Sequence, residues 1–236
     1  MSGTNSDSLS TKHLIFVPAI LSLAVTLLRL VGELEHWSKT LFNPEVGGLG
    51  ALVGITWLAP IFGMYFAIRL AGREGPRSAL RAIGFGLLGG AIIVGSFPVQ
   101  RLVLPSPPSF QARLIYIWAM TALAGLVTVP GWPRLWKTLL AYAYAARIPV
   151  VIIMFFAFRG AWGTHYDALP PDFTGTSLMS KWLWLGFFPQ LILWVGFTLA
   201  SGILFGSITL AVTRLFRPAH PPLKTTKKAE VSSPIP

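Results

Sequence analysis

Two buried-type arginines and two outer clusters of histidine and carboxylate are the residues of this chain with chemistry to offer. Arg147 lies near the middle of an apolar run, residues 135–158, about ten residues or 15 Å from either end at the rise of a helix. That is too deep for its side chain to reach lipid phosphates in comfort. A central arginine costs roughly 2.5–3.5 kcal/mol on membrane insertion, so a carboxylate, several carbonyls or an anionic ligand must offset it. No Asp or Glu lies deep in another apolar run. The neutral partners within reach are Tyr144, one turn earlier, and a carbonyl released by Pro149, while Ala143, Ala145 and Ala146 leave room around the guanidinium. Such a residue either ties helices together through carbonyls or holds a solute or a lipid headgroup.

Arg29 stands about one turn from the end of the first apolar run, with Glu33 four residues later on the same helix face. Side chains lean back toward a helix's start, so Arg29 points into the membrane and Glu33 leans over it, which predicts a local ion pair in the less favoured order. A ligand site at this pair is the alternative.

The third constellation is a set of imidazoles and carboxylates: Glu33, Glu35 and His36 in one segment, His165, Asp167 and Asp172 in another. These side chains can ligate zinc or move protons, which makes His36, His165, Asp167 and Asp172 candidate metal ligands, and His36, His165 and Asp167 candidate catalytic groups. The spacing matches no metal template, and solvated loop chemistry explains the same residues. Whether the two segments meet is not readable from sequence. His13 and His220 read as interfacial and tail residues.

The elements that must position these groups are apolar runs of membrane-spanning length. They cover residues 14–32, 48–70, 79–99, 114–129, 135–158 and 183–212, against about 20 residues for a spanning helix. Only 11% of residues are charged and 53% are hydrophobic, so water is not the solvent for most of this surface. The expected fold is an all-α integral membrane bundle of about six kinked helices. The first run reads as a span rather than a cleaved signal, because it is long and no small-residue cleavage site follows it.

With six spans both termini share one side, and the basic residues divide twelve to five. Lys12, Arg69, Arg73, Arg77, Arg81, Arg134, Lys137, Arg214, Arg217, Lys224, Lys227 and Lys228 fall on the terminal side, against Lys39, Arg101, Arg113, Arg159 and Lys181 opposite. That bias predicts cytoplasmic termini. Acids lean the other way, with Glu33, Glu35, Glu45, Asp167 and Asp172 outside and Asp7, Glu74 and Glu230 inside. The net charge of +11 would suggest nucleic acid in a soluble protein, but here the cations cap apolar runs and face anionic lipid. Nucleic acid is therefore not an expected partner. Cysteine is absent, which removes thiolate chemistry and cysteine-held metals; no cofactor is expected.

Residues 1–12 are expected to be a disordered start, residues 13–216 the membrane domain, and residues 217–236 a disordered basic tail rich in Pro and Lys. Residues 71–77 form a tight basic turn and residues 103–110 a stiff connector holding Pro105, Pro107 and Pro108. The last run is too long for one upright crossing, so residues 183–188 are expected in the outer interface, with Trp182 and Trp184 as belt residues and a bend at Pro189. Pro18, Pro60, Pro98, Pro149 and Pro189 all fall in or beside apolar runs, where they kink helices. Gly50 and Gly54, Gly86 and Gly90, and Gly202 and Gly206 are four apart and let backbones approach, within the chain or in a homo-oligomer.

These features favour one function and leave two alternatives. The first is a non-catalytic membrane component, an accessory, assembly or lipid-interacting subunit with the bilayer, anionic lipid or another membrane protein as partner. The second is a carrier or channel for a small anionic solute, built on Arg147 with the broken helices. The third is a membrane enzyme using the outer His and carboxylate groups. The expected location is the bacterial cytoplasmic membrane.

Overall fold

A computed structural model describes residues 10–216, apart from 49, 105 and 107. The expected disordered start up to residue 9, Pro105 and Pro107, and the basic tail with His220, Arg217, Lys224, Lys227 and Lys228 lie outside the described residues. Among the described residues the chain is helical and without strands. We number its helices α1 (Thr11–Leu34), α2 (Leu58–Leu70), α3 (Ala79–Val103), α4 (Phe110–Val127), α5 (Pro133–Gly160) and α6 (Leu178–Leu215). All but α2 are long and apolar enough to cross a membrane, which makes the chain a helical membrane protein. Large apolar side chains such as Phe16, Val94, Phe97 and Ile152 point outward, a surface suited to hydrocarbon and not to water.

Helix ends follow local chemistry. Ser78, Ser109 and Ser177 cap α3, α4 and α6 by accepting hydrogen bonds from the amides of Arg81, Ala112 and Ser180. Pro133 opens α5, where its missing amide costs nothing. Pro18, Pro98 and Pro149 lie inside α1, α3 and α5. The helix α1 takes in Thr11 and Lys12, two residues earlier than the expected domain start.

The second apolar run folds differently from a simple span. Its helix begins only at Leu58 and has 13 residues, about 20 Å. Gly47, Gly48 and Gly50 before it all have positive φ, 72°, 56° and 84°, a backbone incompatible with a right-handed helix. The described residues between 35 and 57 instead form irregular structure with a 3₁₀ turn at Val46–Gly48, and the amides of Leu52 and Val53 donate to the carbonyls of Thr40 and Leu41. Gly50 and Gly54 therefore form no helix-face pair.

The core is organised around α6, which packs against α2, α3, α4 and α5, while α1 lies mainly on α5. Small residues set the closest approach. A Cβ on Gly63 of α2 would fall 2.5 Å from the Cα of Gly202 on α6, so these two helices touch backbone to backbone. Gly86 likewise backs onto Leu204, whereas Gly90 faces open space.

The loops gather at two ends. At the end where α1 starts, Arg134 pairs with Glu74 and donates to Thr11 Oγ1, and the Trp132 indole donates to the Glu74 carbonyl. At the far end Arg113 pairs with Asp172, and Glu33 meets His165.

Candidate functional site

Arg147 stands near the middle of α5 on its buried face, only 5% exposed, beside Tyr142, Ala143, Ala146 and Val150. Its Nη1 donates to Oε1 of Gln190 on α6 at 3.1 Å, and its guanidinium carbon lies 4.7 Å from the centre of the Trp194 ring, a cation–π contact. The Gln190 amide nitrogen in turn lies 3.7 Å from the sulfur of Met154. Among the described residues no carboxylate pairs with Arg147. Tyr144 points away from the core at 39% exposure, because it sits on the opposite side of α5 from Tyr142. Gln190 supplies the polar contact for which Tyr144 and the carbonyl freed by Pro149 were candidates. Tyr142 bonds Ser22 of α1 at 2.8 Å.

The position of Gln190 and Trp194 depends on an unusual stretch of α6. The chain is helical from Leu178 to Leu215 and widens to π-helix at Trp182–Phe187 and Pro189–Leu193, on either side of Phe188. Proline lacks the amide for an ordinary helical bond, and the wider turn accommodates the gap. Widening also advances side chains around the axis, and it is in this stretch that Trp184, Pro189, Gln190 and then Trp194 come to face one cavity. Trp182 is tied to α5, its indole donating to the Val151 carbonyl at 3.0 Å.

The second half of the site is a triad of charge and imidazole. Arg29 Nε donates to Glu33 Oε1 at 2.8 Å, and Nη2 donates to the carbonyls of Asn43 and Gly48 at 3.2 and 3.0 Å. Glu33 also receives the backbone amide of His165 at 2.9 Å and its Nδ1 at 2.7 Å, both on Oε2. Burial pushes the His165 imidazole below its usual pKa, although the Glu33 carboxylate pulls the other way. A neutral His165 then donates from Nδ1 and keeps Nε2 as an acceptor. The adjacent Tyr166 hydroxyl, pushed up by burial, donates to the Thr26 carbonyl at 3.1 Å.

Both halves line one cavity of about 260 Å³. It extends from Val46, Gly47, Ala168 and Pro170 in the loops of the far end down to Arg147, Gln190 and Trp194, with Thr26, Arg29, His165 and Tyr166 along its side. Arg147 is about 20 Å from either end of α5, so the cavity reaches the middle of that helix.

The remaining candidates are held elsewhere. His36 bonds the Glu33 carbonyl through Nδ1 at 3.0 Å in a positive-φ turn and does not join His165. Asp167 closes its own turn, accepting from the amides of Gly163 and Thr164 and the Thr164 hydroxyl. Asp172 pairs with Arg113 at 2.5 Å. Among the described residues no three His, Asp or Glu side chains gather closely enough to hold a metal.

Gln190, Trp194 and Tyr166 are site residues that sequence reasoning passed over. Gln190 carried a signal, as a lone carboxamide within the apolar run 183–212, since polar groups at that depth seek a partner. Trp194 and Tyr166 carried none, because aromatics are ordinary in membrane helices and loops.

Fold and site define a helical membrane protein with a cationic, mostly apolar cavity inside the bundle. Comparison with known protein families, with characterised proteins and with solved structures finds no match for this chain.

Proposed function

We propose that this is a multi-pass membrane protein that binds a small anion in the α5–α6 cavity and acts as its carrier, with Arg147 as the anchoring cation. The observation that carries this reading is a buried guanidinium lining a cavity, with one carboxamide and one indole as its partners among the described residues. A guanidinium left with free donors in a low-dielectric site is offset by an anion. Arg29 is not equivalent, because Glu33 already neutralises it.

In this reading α2 and the irregular segment before it make a sixth pass, which brings both termini to the cytoplasmic side of a bacterial cytoplasmic membrane. Two features support it: the start of α1 and the α2–α3 and α4–α5 turns share one end through Arg134, Glu74 and Thr11, and the cations cluster on that side. The cavity then opens toward the outside, and Arg69, Arg73, Arg77 and Arg81 meet anionic lipid inside.

A structural role for Arg147 is the second reading, favoured by the bond to Gln190 that ties α5 to α6. Thermal unfolding of the purified chain in a neutral detergent, with and without added anions, separates the two. The carrier reading expects stabilisation by an anion in the wild type and none in a folded Arg147→Gln protein. Absence of any anion effect in the wild type leaves the structural role.

A further inference from the structure

Resting on the anion-binding reading above, we propose that the ligand is a monoanion with an apolar body, a monocarboxylate whose head lies on Arg147 and whose body lies against Val150, Met154 and Trp184. Charge counting sets the head. Within the cavity Arg29 is paired with Glu33, His165 donates to the same carboxylate, and Arg147 alone has no carboxylate among the described residues, so the lining carries one unbalanced positive charge. A dianion would bring a second charge into the membrane interior with nothing to offset it. The guanidinium edge matches a planar carboxylate, since Gln190 takes one nitrogen and Trp194 covers one face.

Volume sets the body. The cavity measures about 260 Å³, many times the space a single water needs, so chloride or phosphate would leave most of it to water. The lining between Arg147 and the mouth includes the apolar side chains of Met154, Val150, Ile55 and Leu114 and the Trp184 ring, which offer van der Waals contact to an apolar body.

The test uses the full chain in neutral detergent and measures thermal stabilisation by sodium hexanoate, benzoate, succinate, phosphate and chloride at equal ionic strength, with hexanol as the uncharged control. Hexanoate or benzoate is expected to act at about tenfold lower concentration than succinate, phosphate or chloride, with hexanol weaker by a similar factor for want of a charge-assisted bond. Gln190→Glu supplies a built-in carboxylate beside Arg147 and is expected to abolish the carboxylate effect in a folded protein, which covers the case in which Arg147→Gln does not fold. Equal or stronger stabilisation by phosphate or succinate overturns the monocarboxylate assignment and leaves Arg147 as an anion site. No response to any of the anions, or a carboxylate response unchanged by Gln190→Glu, removes both.

Discussion

Nδ1 of His165 lies 2.7 Å from Oε2 of Glu33, a residue 132 positions earlier in the chain. The contact staples the loop after α5 to the end of α1, and Arg29 bonds the other oxygen of the same carboxylate at 2.8 Å. Glu33 thus holds together three segments that form the mouth and side of the cavity, since Arg29 also reaches the carbonyls of Asn43 and Gly48.

Removing that carboxylate should be costly. Glu33→Gln leaves Arg29 buried without its counter-ion, and breaking a buried pair from one side costs about 3–5 kcal/mol. Urea or thermal unfolding in detergent should show a loss of that order. The double variant Arg29→Met with Glu33→Leu should lose less than Glu33→Gln alone; a larger loss would mean that the pair is not what Glu33 contributes.

Acid should loosen the same junction. Burial holds the His165 imidazole below its usual pKa, so near pH 6 the unfolded chain takes up a proton that the folded chain refuses. Stability from this group is full above the ordinary histidine value of about 6.5 and is lost as pH falls through it toward the folded value. Unfolding measured from about pH 7.5 down to 5.5 should therefore fall more steeply in the wild type than in His165→Asn. Parallel profiles would show that His165 is not the group responsible.

The α2–α6 contact predicts opposite outcomes for two glycines. Gly63→Ala drives a methyl into the Gly202 backbone and should destabilise by about 1–3 kcal/mol through overpacking. Gly84→Ala, where a Cβ meets nothing within 4 Å, should be neutral or gain up to about 1 kcal/mol from helix propensity. Thermal midpoints of the two variants decide this, and equal behaviour would argue against the close α2–α6 approach.

Topology is open to a direct check. Fusing a reporter active only in the cytoplasm to either terminus should give signal from both fusions, and a reporter inserted near residue 168 should give none. Signal from only one terminus would mean that α2 does not complete a pass, and the direction in which the cavity opens would need to be redrawn.

Hydropathy alone was enough to read a helical membrane protein here, because hydrocarbon demands long apolar segments with every backbone group satisfied inside the helix. The Arg29–Glu33 pair was legible for a similar reason, since a four-residue spacing places two side chains on one helix face whatever surrounds them. The orientation of α5 was not. Tyr142 and Tyr144 differ by two positions, and with apolar lipid on one side and apolar protein on the other, periodicity cannot say which tyrosine turns inward. Nor could the run 48–70 announce its late helix start, which depends on glycines taking positive φ beneath Arg29. Gln190 reached Arg147 through the π-turns at Pro189, and His165 reached Glu33 through the packing of α1 on α5. Such meetings join residues far apart in the chain, and they arise only when the helices settle side by side and the loops close over them.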